Sequence, residues 1–205
     1  MSHIDFTYGN ILLLYCVHNK NTSSDDNINK DSNNHNSFPF SLPEYIIGRI
    51  NLCIETFNVV MSSKPDKFHT SIIIISKEDH SKKIKEILQS KGVPEKYLEY
   101  DNSSKTIEEV FNNLLKKITK LPNPPSIYFI GSVWQKETFN SIKESKLEKY
   151  NVIFEGALDN RSYDIVQKDK LSEQPKKGSN YYKKKIRNKG IDILLNYIFP
   201  KNKNQ

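Results

Sequence analysis

Between positions 101 and 108 the chain places Asp101, Ser103, Thr106 and Glu108, a dense set of carboxylates and hydroxyls. Serine and threonine hydroxyls beside the free N–H groups of a helix start can bind an anion or a ribose. Carboxylates nearby suit a hydroxyl or an amine. The same residues can instead complete a turn and cap the helix. Arg49 carries a fork of donors that fits a phosphate or carboxylate, or a structural salt bridge with Asp101 or Glu108. Ser76 and Ser132 each follow an apolar run, where a hydroxyl either borders a ligand crevice or caps a helix. His18 also follows an apolar run and is the one candidate general acid or base. Trp134, just beyond Ser132, suits either stacking on a ring or a place in the core or a lid.

The elements that must position these groups are legible as an alternation. Residues 10–17, apolar from Ile11 to Val17, have the pattern of a strand buried on both faces. Runs of four residues lie at 72–75, 127–130 and 151–154, and one interrupted by Glu99 at 97–100. Ser41-Leu42-Pro43-Glu44 reads as a capping box, with Phe40 and Tyr45 spaced as a hydrophobic staple. It opens a helix to about Met61, with Ile46, Ile50, Cys53, Ile54 and Phe57 on one face and Arg49 beside that stripe. Asp79 is placed to cap a second helix, which Gly92 ends and Pro94 prevents from continuing. Thr106 and Glu109 frame a third helix with Ile107, Val110, Phe111, Leu114 and Ile118 as its apolar stripe. A polar helix with Phe139, Ile142 and Leu147 follows the fourth strand, and a last helix is expected over about 181–199.

Strand–helix alternation of this kind predicts a single three-layer α/β/α, Rossmann-like domain over 1–205 with a mainly parallel five-stranded sheet. The polar segment 19–37 reads as a mobile loop or disordered insertion, and 159–180 as weakly patterned. In an open parallel sheet, ligands bind beyond the carboxyl ends of the strands. Ser76, Asp101 and Ser132 are therefore expected to face one crevice, with Arg49 leaning over the same edge. Glu108 is expected to hold a hydroxyl, an amine or Arg49.

Composition narrows the classes. The chain has 205 residues, and its formal charge is 31 − 24 = +7. Cys16 and Cys53 sit in apolar patterns and read as core residues rather than a disulfide or redox pair. The five histidines are scattered without zinc-ligand spacing, so no metal is expected. There is no Walker motif, no Gly-x-Gly-x-x-Gly and no Gly-x-Ser-x-Gly. The apolar run at 11–17 is too short to span a bilayer, and a soluble, cytoplasmic protein is the expectation. Lys176 to Lys189 is basic and carries Tyr181 and Tyr182, the composition of a nucleic-acid contact or of a solvated helix start.

Gly92-Val93-Pro94, a short strand, then Asp101, Ser103, Thr106 and Glu108 in order resemble a motif of the domain-of-unknown-function family typified by the bacterial proteins YdcF, SanA and ElyC. Arg49 stands where that family has an arginine at the start of its first long helix. The resemblance covers about 10–199. It implies the same α/β fold and a ligand site that includes Arg49, Asp101, Ser103, Thr106 and Glu108. Ser76 keeps the serine of the family's Ser-Gly-Gly, whereas Ser132 joins the site by its strand-end position, where the family commonly has a His and an Arg. Glu109 departs from the family's usual Asn. The glycines the family has after its first two strands are replaced by His18-Asn19-Lys20 and Ser76-Lys77-Glu78. Such glycines let a backbone approach a phosphate.

These readings lead to a protein binding a polar, nucleotide-like or phosphorylated small molecule. By fold analogy alone, S-adenosylmethionine is a candidate. The other expectation is a nucleic-acid-associated or scaffold protein using 176–189, with a degenerate site.

Overall fold

The computed structural model describes residues 9–17, 42–63, 70–121 and 123–173. His18, the 19–37 segment, Ser41, the basic run 176–189 and the expected last helix lie outside the described residues.

Five strands form one parallel sheet: β1 (Asn10–Tyr15), β2 (Thr70–Ile75), β3 (Leu98–Asp101), β4 (Ser126–Ser132) and β5 (Val152–Ala157). Their order is β3-β2-β1-β4-β5. The helices are α1 (Glu44–Ser63), α2 (Glu78–Ser90), α3 (Ile107–Ile118), α4 (Lys136–Ile142) and α5 (Tyr163–Glu173). The expected α/β fold with a parallel sheet is thus present. No helix among the described residues is long and apolar enough to cross a membrane.

Side chains along a strand alternate between faces, and the two halves of the core follow that alternation. Ile11, Leu13, Tyr15, Ile73, Ile75, Ile127 and Phe129 meet α3 and α4 on one face. Leu12, Leu14, Ile72, Ile74 and Ile130 meet α1 and α2 on the other. Both faces are covered, which is why β1 and β2 read as unbroken apolar runs. Cys16 and Cys53 are free and buried. Burial pushes the Cys16 thiol up to about 12, against the opposing pull of Arg49.

Local chemistry sets most boundaries. Gly92 takes φ +92, the left-handed conformation expected at the end of α2. Thr106 caps α3, its Oγ1 accepting from the Glu109 N–H at 3.2 Å. The Glu109 carboxylate reaches back one residue further, accepting from the Lys105 N–H at 2.7 Å.

Several expectations are corrected. Lys77, not Asp79, stands at the N-cap of α2, and its side chain makes no capping bond. Asp79 falls in the first turn, where its charge suits the positive helix end. Tyr97 belongs to a 3-10 turn (Glu95–Tyr97) leading into β3, and its ring packs on Phe57 at 5.5 Å. The helix after β4 is broken: a 3-10 turn (Val133–Gln135), then α4, then a wide π turn (Lys143–Leu147). Finally, part of the weakly patterned 159–180 segment is helical, as α5. Ile165, Val166 and Gln167 are half-buried there, and Asp169 is buried. An apolar period could not reveal such a helix.

Candidate functional site

The strand order reverses direction between β1 and β4, the place where open α/β sheets hold ligands. The carboxyl ends of these two strands are bridged by Arg49. Helix α1 carries it among Ile46, Ile50 and Cys53, and it is 1% exposed. Its Nη1 donates to the Tyr15 carbonyl at 2.8 Å. Its Nε and Nη2 donate to Ser132 Oγ at 3.1 and 2.7 Å. A buried guanidinium requires such partners, because an isolated charge in the interior is costly.

Ser132 Oγ in turn donates to Asp159 Oδ2 at 2.9 Å. Asp159 lies on the loop after β5 and gathers further donors. Trp134 Nε1 reaches Oδ2 at 3.0 Å, and Arg161 Nη2 reaches it at 2.8 Å. Arg161 Nε donates to Oδ1 at 2.9 Å, and the Arg161 backbone N–H at 3.3 Å. Arg49 Nη2 stands 3.9 Å from Oδ2. Burial opposes ionisation of Asp159, but the bonds from Arg161, Trp134 and Ser132 outweigh it and hold the carboxyl far below the usual range. Arg161 Nη1 completes the set with Asp169 Oδ2 at 2.6 Å. Two guanidinium and two carboxylate groups balance in charge.

Tyr45, one turn before Arg49, supplies a ring to both cations. The guanidinium carbons of Arg161 and Arg49 lie 3.8 and 5.2 Å from its centroid. Burial pushes the Tyr45 phenol up to about 12, against the lowering effect of both arginines.

Two glycines allow this packing. A Cβ on Gly131 would stand 2.5 Å from Gln135 Oε1, which accepts from the Ser132 N–H at 2.8 Å. A Cβ on Gly156 would stand 3.3 Å from the Val133 Cα. A side chain at 131 would thus displace Gln135 within the turn after β4, and one at 156 would crowd that turn from the end of β5.

The expected single crevice resolves into two places. Asp101 is in register with Ile75, whose side chain faces α3 and α4. Arg49 belongs to the helix on the opposite face. The parallel sheet does bring all strand ends to one edge, but an edge still has two faces, and the Arg49–Asp101 juxtaposition is therefore incorrect. Asp101 serves its own turn. Its Oδ1 accepts from the N–H and hydroxyl of Ser103 at 3.0 and 2.7 Å and from the Ser104 N–H at 3.0 Å. Its Oδ2 accepts from the Ser104 hydroxyl. Burial opposes these bonds, yet they hold the Asp101 carboxyl below its ordinary value. With Leu13, Ile73 and Asn113, Asp101 and Ser103 line a cleft of about 400 Å³ between β3 and α3.

The remaining expected residues scatter. Glu108 accepts from Lys146 Nζ at 2.6 Å, so its partner is an amine rather than Arg49. Thr106 acts as the α3 cap. The Ser76 hydroxyl donates to the Lys77 carbonyl at 3.1 Å.

Sequence reasoning missed Asp159, Arg161 and Asp169. One signal was present: the chain has three arginines, Arg49, Arg161 and Arg187, among its 31 basic residues, so an arginine here marks a choice over lysine. Arginine is favoured where an ion pair must be buried. Asp159 and Arg161 also follow a strand end directly. As for chemistry, Ser132 is fully buried, and its hydroxyl accepts from Arg49 and donates to Asp159. Among the described residues, no cluster of three or more His, Cys, Asp or Glu side chains could hold a metal ion. No protein-family model, curated protein or solved structure matches this chain.

Proposed function

We propose that this protein binds a small polar molecule, nucleotide-like or phosphorylated, at the carboxyl ends of β1 and β4. One observation carries the reading. The reversal point of a parallel sheet coincides with a network that fixes Arg49, Ser132, Trp134 and Arg161 in one place. Preorganised donors of this kind lower the cost of ordering on binding. The resemblance to the YdcF, SanA and ElyC family supports the same reading through Arg49, whereas its Asp101 motif is engaged in a turn.

The test is a thermal-shift screen of nucleotides, S-adenosylmethionine and sugar phosphates, followed by hydrogen exchange with any compound that stabilises. Protection concentrated at 131–135 and 157–161 is expected. Protection at 98–113 would move the ligand to the cleft beside Asp101. No response to any compound would remove the proposal.

A second reading rests on charge distribution. Residues 1–173 carry 22 basic and 23 acidic residues, a net −1, whereas 174–205 carry 9 and 1, a net +8. The entire basic excess is thus confined to the terminal segment, as in a nucleic-acid-associated or scaffold protein that uses it. Binding to mixed single-stranded oligonucleotides that falls steeply with salt is its expected signature. Absence of binding at low salt would remove it.

A further inference from the structure

Asp159 is held in an unusual way for a loop residue. The loop around it is open to solvent: Leu158 is 78% exposed, and Asn160 and Ser162 are exposed as well. Yet the Asp159 side chain is only 4% exposed and points inward at the sheet reversal. There its carboxylate meets donors from four segments: Ser132 at the end of β4, Trp134 in the following turn, Arg161 on its own loop and Arg49 on α1. Five hydrogen bonds of 2.8 to 3.3 Å converge on its two oxygens, with the second guanidinium at 3.9 Å. A carboxylate offers about four lone-pair sites, so the donor set is saturated by one anion.

A hydroxyl, an indole N–H and two arginines are what a protein assembles to hold the carboxylate or phosphate of a ligand. They lie at the strand reversal, where such a group is received. We infer that these donors form an anion receptacle that the chain fills with its own Asp159. A carboxylate or phosphate entering the site competes with Asp159 for the same donors. Asp159 must then leave these donors as a side chain, because Arg161, on the same loop, is itself one of them. This rests on the proposed ligand position, but its test does not depend on the ligand's identity.

Asp159→Ala removes a group the size of formate and leaves the donors behind. The full-length variant and the wild type are melted in rising formate, with chloride keeping ionic strength constant, and in parallel in rising inorganic phosphate. The variant should melt lower than wild type in chloride. Its Tm should then climb saturably with formate, by roughly 3–6 °C at tenfold excess over the dissociation constant, while wild type stays flat. Phosphate stabilising the variant more than formate assigns the receptacle to phosphate; the reverse assigns it to carboxylates. If neither anion outperforms chloride, or if wild type rises equally, the inference is overturned. Should Asp159→Ala yield no folded protein, refolding yield in formate against chloride decides: recovery in formate supports the receptacle, and equal yields overturn it. A positive rescue with a negative nucleotide screen would keep the receptacle and sink only the nucleotide reading.

Discussion

Asp101 closes β3 and Asp159 follows β5, the two outermost strands of the sheet, and each gathers donors that depress its carboxyl. Their partners differ in origin. Asp101 bonds to Ser103 and Ser104, two and three residues ahead. Asp159 bonds across the fold to Ser132 and Trp134, and through Arg161 to Asp169. The first is a turn that could form in a short peptide. The second exists only when β4, α1 and α5 are docked. Tyr15 touches both regions, its carbonyl accepting from Arg49 and its hydroxyl donating to the Lys105 carbonyl at 3.1 Å. A dense polar cluster in sequence is therefore a poor guide to where a protein concentrates its electrostatics. Contacts between nearby residues complete local structure, whereas distant ones join elements.

The strongest way to break this contrast is Arg161→Ala. It removes the cation shared by Asp159 and Asp169, leaving Asp159 with Ser132, Trp134 and the more distant Arg49, and losing one partner of a buried pair costs about 3–5 kcal/mol. Urea denaturation should show that loss; a change below about 1 kcal/mol would mean the network behaves like a surface pair. Asp159→Asn should cost less, about 2 kcal/mol, and should be pH-dependent. The folded-state value of Asp159 lies below the unfolded value of about 3.9. Its contribution is thus complete above that value and is lost as pH falls toward the folded one. The gap between wild type and Asp159→Asn should be constant above about pH 5 and narrow below about pH 4. A gap independent of pH down to about 2 would show that ionisation of Asp159 is not what the network uses.

The local cluster should respond more weakly. Asp101→Ala should cost about 1–2 kcal/mol, the scale of a few partly exposed hydrogen bonds, and Thr106→Ala about 1 kcal/mol as a lost cap. Neither should alter the response of Asp159→Ala to formate, and a changed response would show the two regions to be coupled through Tyr15. The smallest effect belongs to Glu108 and Lys146, a half-exposed pair. A double-mutant cycle should return a coupling of no more than about 0.5 kcal/mol.

Much of the architecture was readable before any coordinates. Unbroken apolar runs near 11–17, 72–75 and 127–130 can satisfy burial on both faces only as central strands of a covered sheet, and β1, β2 and β4 lie there. Gly92 and Thr106 mark helix ends through backbone geometry and capping that act within a few residues. The candidate site was readable in part. Arg49 and Ser132 were visible because a guanidinium in an apolar stripe and a hydroxyl at a strand end each need explanation.

Which residues meet those two was decided only by the tertiary structure. The sequence by itself determined that the strands share an edge, because periodicity and alternation require a parallel sheet. It could not determine on which face of that edge Asp101 and Arg49 would stand, since shifting a register by one residue exchanges the faces. Nor could it reveal α5, a helix that buries an aspartate. Asp159 and Arg161 are marked only by a strand end and by the scarcity of arginine, and Asp169 by nothing local. They become a charge-balanced network only because β5 ends beside β4, with α1 packed across their ends, in a place too dry to leave any of those charges alone.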